Sequence, residues 1–232
     1  MFYWWDPTYI LVVIAALISM AASARVNRTY SRYAGVRSTS GMTGAEAARR
    51  ILQYQGIYDV SVERVAGNLT DHYDPRSKVL RLSDATFGSS SVAAVGVAAH
   101  ECGHAIQDAQ GYAPLKIRGA LVPVANLGAT LSWPLVLIGL LISRNSGMIF
   151  IKAGIILFCA VVLFQLVTLP VEFNASSRGL RLLTESGILY QDEAAQTKKV
   201  LSAAAMTYVA SVAASLLQLL RLLLIARSRN RD

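Results

Sequence analysis

Long apolar segments constrain this chain more than any other feature of its sequence. The segments 121–142 and 148–169 are each long enough to cross the hydrocarbon core of a bilayer. The short polar stretch 143–147 joins them, so the pattern predicts a transmembrane helical hairpin. With 54% apolar residues and a mean hydropathy of +0.43, the composition also argues against a soluble protein.

A further apolar segment, 9–24, reaches spanning length together with the aromatic residues at 2–5, which are typical of a membrane interface. A cleaved signal peptide would carry positive charge ahead of its apolar core. Here Asp6 is the only charge before Arg25, so we expect a retained transmembrane anchor.

The last apolar segment, 201–226, is long enough to span but is interrupted by Arg221. Three more arginines follow it, and a crossing would place them outside, against the positive-inside rule. We therefore favour about three spans, with the final helix packed on the functional site or lying in the interface. The segments 27–118 and 170–200 then share the cytoplasmic side.

The net charge of +8 does not indicate a nucleic-acid partner. The arginines gather beside apolar segments, where they suit anionic lipid headgroups. The two cysteines, Cys102 and Cys159, fall in a predicted helix and a predicted span, so they do not form a secreted disulfide framework. The lipid bilayer is the partner that this pattern indicates.

The mixed segment 27–118 has enough polarity to form a soluble module. Thr43 and Glu46 have the spacing of a capping box, which predicts a helix that runs toward Gln55 and ends at Gly56. Alternating β-branched residues predict a pair of strands at 60–65 and 78–83.

The strongest chemical signal is the sequence His100-Glu101-Cys102-Gly103-His104. Residues four apart on a helix share a face, so His100 and His104 can bind one zinc ion. Glu101 can then act as general base toward a zinc-bound water, which predicts peptide hydrolysis. Cys102 lies about 200° around the helix from His100 and should be a small buried residue.

A catalytic zinc site needs a third protein ligand. The third histidine, His72, lies in a polar stretch upstream. A downstream carboxylate is the better candidate, and Glu172 begins a polar segment where the third span should emerge on the side of the histidine pair. Four side chains could stabilise the oxyanion of the reaction: Tyr208, Arg178, His72 and Asn174.

Four segments together carry a family resemblance: HECGH, DHYDPRSKVLRLS, PVEFNAS and AAAMTYVA. With them the chain resembles the YugP-type membrane zinc metallopeptidases over nearly its whole length. More distantly it is similar to the gluzincins of the membrane heat-shock and CAAX prenyl protease group. Those proteases pair HExxH with a downstream E-x-x-x-D motif, and here Ser176 stands at the aspartate position.

The resemblance implies further roles. Ser176 would orient a zinc-binding histidine, with a weaker hydrogen bond than aspartate gives. Tyr208 would be the oxyanion donor, because such sites often use a late polar side chain. The strand 78–83 would offer its edge to an extended peptide.

The predicted fold is a mainly α membrane protein with about three transmembrane helices and a gluzincin-like α+β catalytic module, which contains a small sheet and the HExxH helix. Four segments make up the predicted domains: an anchor (1–26), a cytoplasmic catalytic module (27–118), a helical hairpin (119–170), and a segment with the third ligand and a C-terminal helix that completes the module (171–232).

The sequence favours a multi-pass, membrane-embedded zinc metalloendopeptidase that cleaves membrane or membrane-proximal proteins at the cytoplasmic face. One alternative is an intramembrane zinc protease, but the polar residues soon after the histidines argue against it. Another is a non-catalytic scaffold that zinc stabilises, although a structural site has no need of Glu101. The oligomeric state cannot be read from the sequence.

Overall fold

A computed structural model describes residues 6–231, with side chains at all of these except 144, 145, 191, 230 and 231. The aromatic residues predicted to anchor the first span, at 2–5, lie outside this range. The fold is mainly helical with one small sheet. Its elements are α1 (Tyr9–Ala34), α2 (Gly44–Tyr54), β1 (Ser61–Val65), β2 (His72–Asp74), β3 (Val79–Ser83), α3 (Asp84–Phe87), α4 (Val92–Ala109), α5 (Ala113–Leu141), α6 (Arg144–Glu185) and α7 (Gln191–Arg231).

The chain divides into two compact units, and several helices contribute residues to both. The first, here called the site unit, comprises Ser23–Lys116 and Pro170–Met206. The second, the apolar unit, comprises Met1–Ala22, Ile117–Leu169 and Thr207–Asp232. The four predicted domains stay a prediction.

Within residues 6–231, four helices are long and apolar enough to cross a membrane, one more than the expected number of about three. Three of them are α1, α5 and α6, and the fourth lies in α7, over Asp192–Arg229. The expectation of about three spans rested on Arg221, which interrupts the last apolar segment, and on the three arginines that follow this segment.

The apolar unit accommodates Arg221 with partners of its own. The guanidinium lies 3.8 Å from the Asp6 carboxylate and donates to the Thr8 hydroxyl at 3.3 Å. It also lies 4.3 Å from the ring centroid of Tyr9 and 5.7 Å from that of Trp133. A charge with these contacts does not prevent a helix from being a membrane span.

Helices of the apolar unit approach closely where glycines stand. A Cβ on Gly128 would lie 2.4 Å from the Leu157 carbonyl oxygen, and one on Gly154 would lie 2.7 Å from that of Ser132. Small residues allow such contacts between membrane helices. The apolar core beside them is small and consists of Val136, Phe158, Val162 and Leu222.

The small sheet has the strand order β1-β3-β2, with β3 parallel to β1 and antiparallel to β2. The predicted strands 60–65 and 78–83 therefore form and pair, but β2 was missed because its three residues lie in a polar stretch. The expectation that the strand 78–83 offers a free edge is wrong, since β3 is paired on both sides and β2 is an outer strand.

The core of the site unit forms between α2, α4 and the sheet. The capping box predicted for α2 is present, since Thr43 and Glu46 exchange side-chain to backbone hydrogen bonds. Ser91 accepts a hydrogen bond from the Ala94 amide and so begins α4, the helix that carries both histidines. The small apolar residues at the start of α4 are buried and pack with Leu80 and Leu82 of β3.

Candidate metal centre

Helices α4 and α6 of the site unit lie in close backbone contact, and two glycines make this contact possible. A Cβ on Gly103 would lie 2.3 Å from the Ala175 carbonyl oxygen, and one on Gly179 would lie 2.4 Å from that of Ala99. A side chain at either position would force the helices apart. The glycine of HECGH therefore brings the histidine helix against the helix that carries Glu172.

This contact gathers His100, His104 and Glu172 into one group. One carboxylate oxygen, Oε2 of Glu172, lies 3.2 Å from Nε2 of His100 and 3.6 Å from Nε2 of His104. The potential ligand atoms of the three residues all lie within 4.8 Å of one another. Glu172 and His104 are buried, and His100 is partly exposed. The three side chains could hold a metal ion.

The group suits zinc in its donor types and its spacing. Zinc takes imidazole nitrogen and carboxylate oxygen at bond lengths that separate the ligand atoms of a tetrahedral centre by roughly 3.3–3.5 Å. The two nitrogen-to-oxygen distances, 3.2 and 3.6 Å, lie close to that range. Three protein ligands also leave a fourth coordination position for water or substrate, as in catalytic zinc sites.

Each histidine is held by a polar neighbour at its other ring nitrogen. Nδ1 of His100 lies 2.9 Å from the Ser176 hydroxyl, and Nδ1 of His104 lies 3.0 Å from Oε1 of Gln107. Because an amide oxygen only accepts, Gln107 requires the proton of His104 on Nδ1 and leaves Nε2 free as a ligand. The predicted contact of Ser176 with a histidine of the pair is present in the structure.

Gln107 is itself fixed by α6. Its amide nitrogen donates to the Val171 carbonyl at 2.8 Å and to Oδ1 of Asn174 at 2.9 Å. Asn174 Oδ1 also accepts from Nε of Arg178 at 2.7 Å, and Arg178 continues to the Gln110 side chain. This chain of hydrogen bonds joins the end of α4 to the turn of α6 that follows Glu172.

Glu101 is buried beside the histidine pair, with 7% of its surface exposed. Burial raises the pKa of its carboxyl to about 7, with a smaller contribution from the negative charges of Glu172 and Asp71, while His100 and His72 act in the opposite direction. A carboxylate whose pKa lies near neutral pH can both accept and return a proton.

The remaining candidates for the third metal ligand and for the oxyanion donor lie in different parts of the structure. His72 lies on β2, is exposed, and has Nδ1 2.8 Å from the Thr70 carbonyl oxygen, so it is not part of the metal-binding group. Asn174 and Arg178 are engaged in the hydrogen bonds just described. Tyr208 belongs to the apolar unit, and its role as oxyanion donor stays a prediction.

Cys102 is fully buried, with its thiol 3.6 Å from the Ala48 carbonyl oxygen, and burial raises the pKa of the thiol. This confirms the prediction of a small buried residue. Sequence reasoning missed the contribution of Gln107, which was counted only among the polar residues soon after the histidines. Its position three residues after His104, on the same helix face, was the available signal.

Comparison with known proteins agrees with this geometry. A family profile described as "Putative neutral zinc metallopeptidase" matches residues 8–227. The chain is 46% identical over 218 residues to the "Putative membrane protease YugP" of Bacillus subtilis (strain 168), which covers 94% of this chain and 96% of that protein. No solved structure matches significantly. The chain therefore belongs to the family of zinc metallopeptidases that this profile describes.

Proposed function

We propose that this protein is a zinc metalloendopeptidase of the gluzincin type that hydrolyses peptide bonds of membrane or membrane-proximal proteins. The observation that carries the proposal is the convergence of His100, His104 and Glu172 within 4.8 Å, with Glu101 buried next to the first histidine. A structural metal site would have no use for the buried carboxylate of Glu101.

In this proposal His100 and His104 bind zinc through Nε2, and Glu172 binds it through its carboxylate. Zinc, when bound, supplies a Lewis acid that lowers the pKa of water and polarises a carbonyl group. Glu101 accepts the proton of the attacking water and delivers it to the leaving amine. Ser176 and Gln107 hold the imidazole rings in the orientation that leaves both Nε2 atoms free to bind.

We assign the role of oxyanion donor to Tyr208, whose phenol can donate a hydrogen bond. If all four candidate spans cross the bilayer, connectivity places the parts of the chain that carry His100 and Glu172 on one side of the membrane. Those parts also hold most of the basic residues next to the spans, so we place the site on the cytoplasmic face. Helix α4 is not among the candidate spans found in the described chain, and Glu172 lies in the C-terminal part of the α6 span, so we place the site at the membrane surface.

The test uses full-length protein purified in detergent. Zinc content and cleavage of an unfolded casein substrate are measured for wild type, Glu101→Gln, Glu172→Ala and Tyr208→Phe. We expect one zinc per wild-type chain, retained in Glu101→Gln while activity falls at least about 100-fold. Glu172→Ala should lose both zinc and activity. Tyr208→Phe should keep zinc and cleave casein more slowly.

The Glu101→Gln protein also controls for contaminating proteases, because it passes through the same purification. Wild-type protein without zinc would contradict the metallopeptidase assignment. Full zinc in Glu172→Ala would move the third ligand elsewhere, with His72 the next residue to replace. Equal activity of wild type and Glu101→Gln would favour a scaffold whose zinc is structural.

A further inference from the structure

The apolar unit contains a groove of about 570 Å³ between α6 and α7. Most of its lining is apolar, including Ile155, Ile156 and Leu223, but two basic side chains also line it, Lys152 and Arg227. Both helices contain candidate membrane spans, so we expect the groove to face lipid in a bilayer. Its volume is in the range of pockets that bind small organic ligands.

The two basic residues of the groove are exposed and differ from Arg221 and Arg229 of this unit, which have partners. Arg221 has Asp6 as its ion-pair partner, and Arg229 donates to the carbonyl oxygens of Leu140 and Ile142. Within residues 6–231, no acidic side chain lies within ion-pair distance of Lys152 or Arg227. A charge among membrane helices is costly without a partner, so these two cations call for an anion.

The two basic residues of the groove lie nearer the α5–α6 turn than Ile155, Ile156 and Leu223 do. Arg229 is bound at the C-terminal end of α5, which places Arg227 near the turn that joins α5 to α6. Lys152 lies eight residues into α6, roughly 12 Å along the helix axis, and its long side chain can extend toward the interface. Ile155 and Ile156 follow it, farther from the turn.

We propose that this groove binds one anionic glycerophospholipid. Lys152 and Arg227 contact its phosphate, and the first part of an acyl chain lies along Ile155, Ile156 and Leu223. The phosphate supplies the missing counter-charge, and the apolar lining explains why a lipid is favoured over a free anion. This site lies in the leaflet near the α5–α6 turn and does not depend on peptidase activity.

The experiment is native mass spectrometry of full-length protein in mild detergent, with phosphatidylglycerol and phosphatidylcholine of identical acyl chains. Wild type should retain one phosphatidylglycerol in preference to phosphatidylcholine. The double variant Lys152→Gln/Arg227→Gln should lower this preference roughly 10- to 30-fold, since each cation near the membrane surface contributes about a fivefold factor.

The matched control removes two exposed basic residues near the C-terminal end of α1, in the double variant Arg25→Gln/Arg28→Gln. This control should keep the preference for phosphatidylglycerol. An equal loss in both double variants would mean general electrostatic attraction and would overturn the proposal. An unchanged preference in Lys152→Gln/Arg227→Gln would overturn it as well.

A second variant, Ile156→Trp, fills the groove without changing its charge. It should lower retention of both lipids several-fold, and this arm remains decisive if the charge variant does not fold. Glycerol 3-phosphate in excess should not displace the bound phosphatidylglycerol. Displacement by glycerol phosphate would show a site for a soluble phosphate and not for a lipid, and unchanged lipid retention in Ile156→Trp would place any lipid elsewhere.

Discussion

In both the site unit and the apolar unit, a glycine allows two helices to approach closely. The surroundings of this contact differ between the two units. Gly103 in the site unit and Gly128 in the apolar unit each face a carbonyl oxygen that a Cβ would approach to 2.3 and 2.4 Å. The site unit has a large apolar core that includes Leu182 and Leu183, and Gln107 is a buried polar residue of the same unit. In the described part of the apolar unit, the cluster of buried apolar residues around Val136 has four members.

The difference follows from the solvent each unit is built for. In water, burying apolar side chains supplies the main stabilisation, so a helix packs its apolar face inward and can hold a polar network only where every group is paired. In a bilayer, lipid solvates apolar side chains as well as the protein does, so helices associate through close backbone contact and a few polar contacts. Helices α6 and α7 each contribute residues to both units, so different parts of one helix are stabilised in these two different ways.

The largest expected effect comes from adding one methyl group at the site, in Gly103→Ala. The new Cβ would overlap the Ala175 carbonyl, so α4 and α6 must separate and Glu172 must move away from the histidines. We expect a loss of about 3 kcal/mol of stability and loss of zinc binding. Chemical denaturation and zinc titration measure both. Gly35→Ala is the control, since nothing lies within 4 Å of its added Cβ; equal effects in the two variants would contradict the close-contact argument.

Loss of the histidine supports should weaken zinc binding without unfolding the unit. Gln107 is fully buried and makes three hydrogen bonds, whereas Ser176 is partly exposed and its hydroxyl has one contact, with His100. Loss of such supporting hydrogen bonds typically costs 10- to 100-fold in metal affinity. We expect Gln107→Leu to lower zinc affinity by about 100-fold and Ser176→Ala to lower it by about tenfold. Competition with a chelator measures both affinities. Ser176→Asp should bind zinc at least as tightly as wild type.

The elements that sequence reasoning predicted correctly are those with local signals. The capping box of α2 and the hairpin of α5 and α6 each follow from residues close together in the chain. The proximity of Glu172 to the histidine pair also followed, from the expected membrane topology. In contrast, the hydrogen bonds of Gln107 with α6 join residues more than sixty positions apart, and no local pattern reports them.

The misjudged elements share a related cause. Arg221 was taken as evidence against a fourth span, because its partners Asp6 and Thr8 lie at the other end of the chain and no local pattern indicates the pairing. The paired edge of β3 was missed because β2 is only three residues long and polar, as an outer strand at a surface can be. In both cases the deciding interaction is between segments whose pairing depends on the complete fold.

A smaller effect is expected when the same methyl group is added in the apolar unit, in Gly128→Ala. The overlap with Leu157 is similar to that at Gly103, but membrane helices can separate slightly without exposing apolar surface to water. We expect a loss of about 1 kcal/mol, measured as a lower midpoint of thermal unfolding in detergent. Gly119→Ala is the matched control, as its Cβ would meet nothing within 4 Å. A loss as large as that of Gly103→Ala would break the comparison between the units.

The smallest expected effect concerns Asp108, which ties the β2–β3 hairpin to the end of α4. Its carboxylate accepts from the Tyr73 hydroxyl at 2.9 Å and from the Lys78 ammonium at 2.7 Å. Asp108→Asn keeps one acceptor oxygen but removes the charge, and because the pair is partly exposed we expect a loss of about 1 kcal/mol or less.

The pH dependence of this contact gives it a sharper test. The hydrogen bond with Asp108 raises the pKa of Lys78, and burial, followed by the bond with Asp108, raises the pKa of Tyr73. A pKa that is higher in the folded state means that folding stabilises the protonated form. The contribution of this contact to stability is therefore fully present below the unfolded pKa values near 10, and it is lost as the pH rises through the folded pKa values. The difference between wild type and Asp108→Asn in urea unfolding should therefore be constant from about pH 7 to pH 9 and shrink in more alkaline solution. A difference that instead vanished between pH 7 and 9 would mean that neither proton is held by Asp108, and the hairpin would then owe its position to the apolar contacts of Leu80 and Leu82 alone.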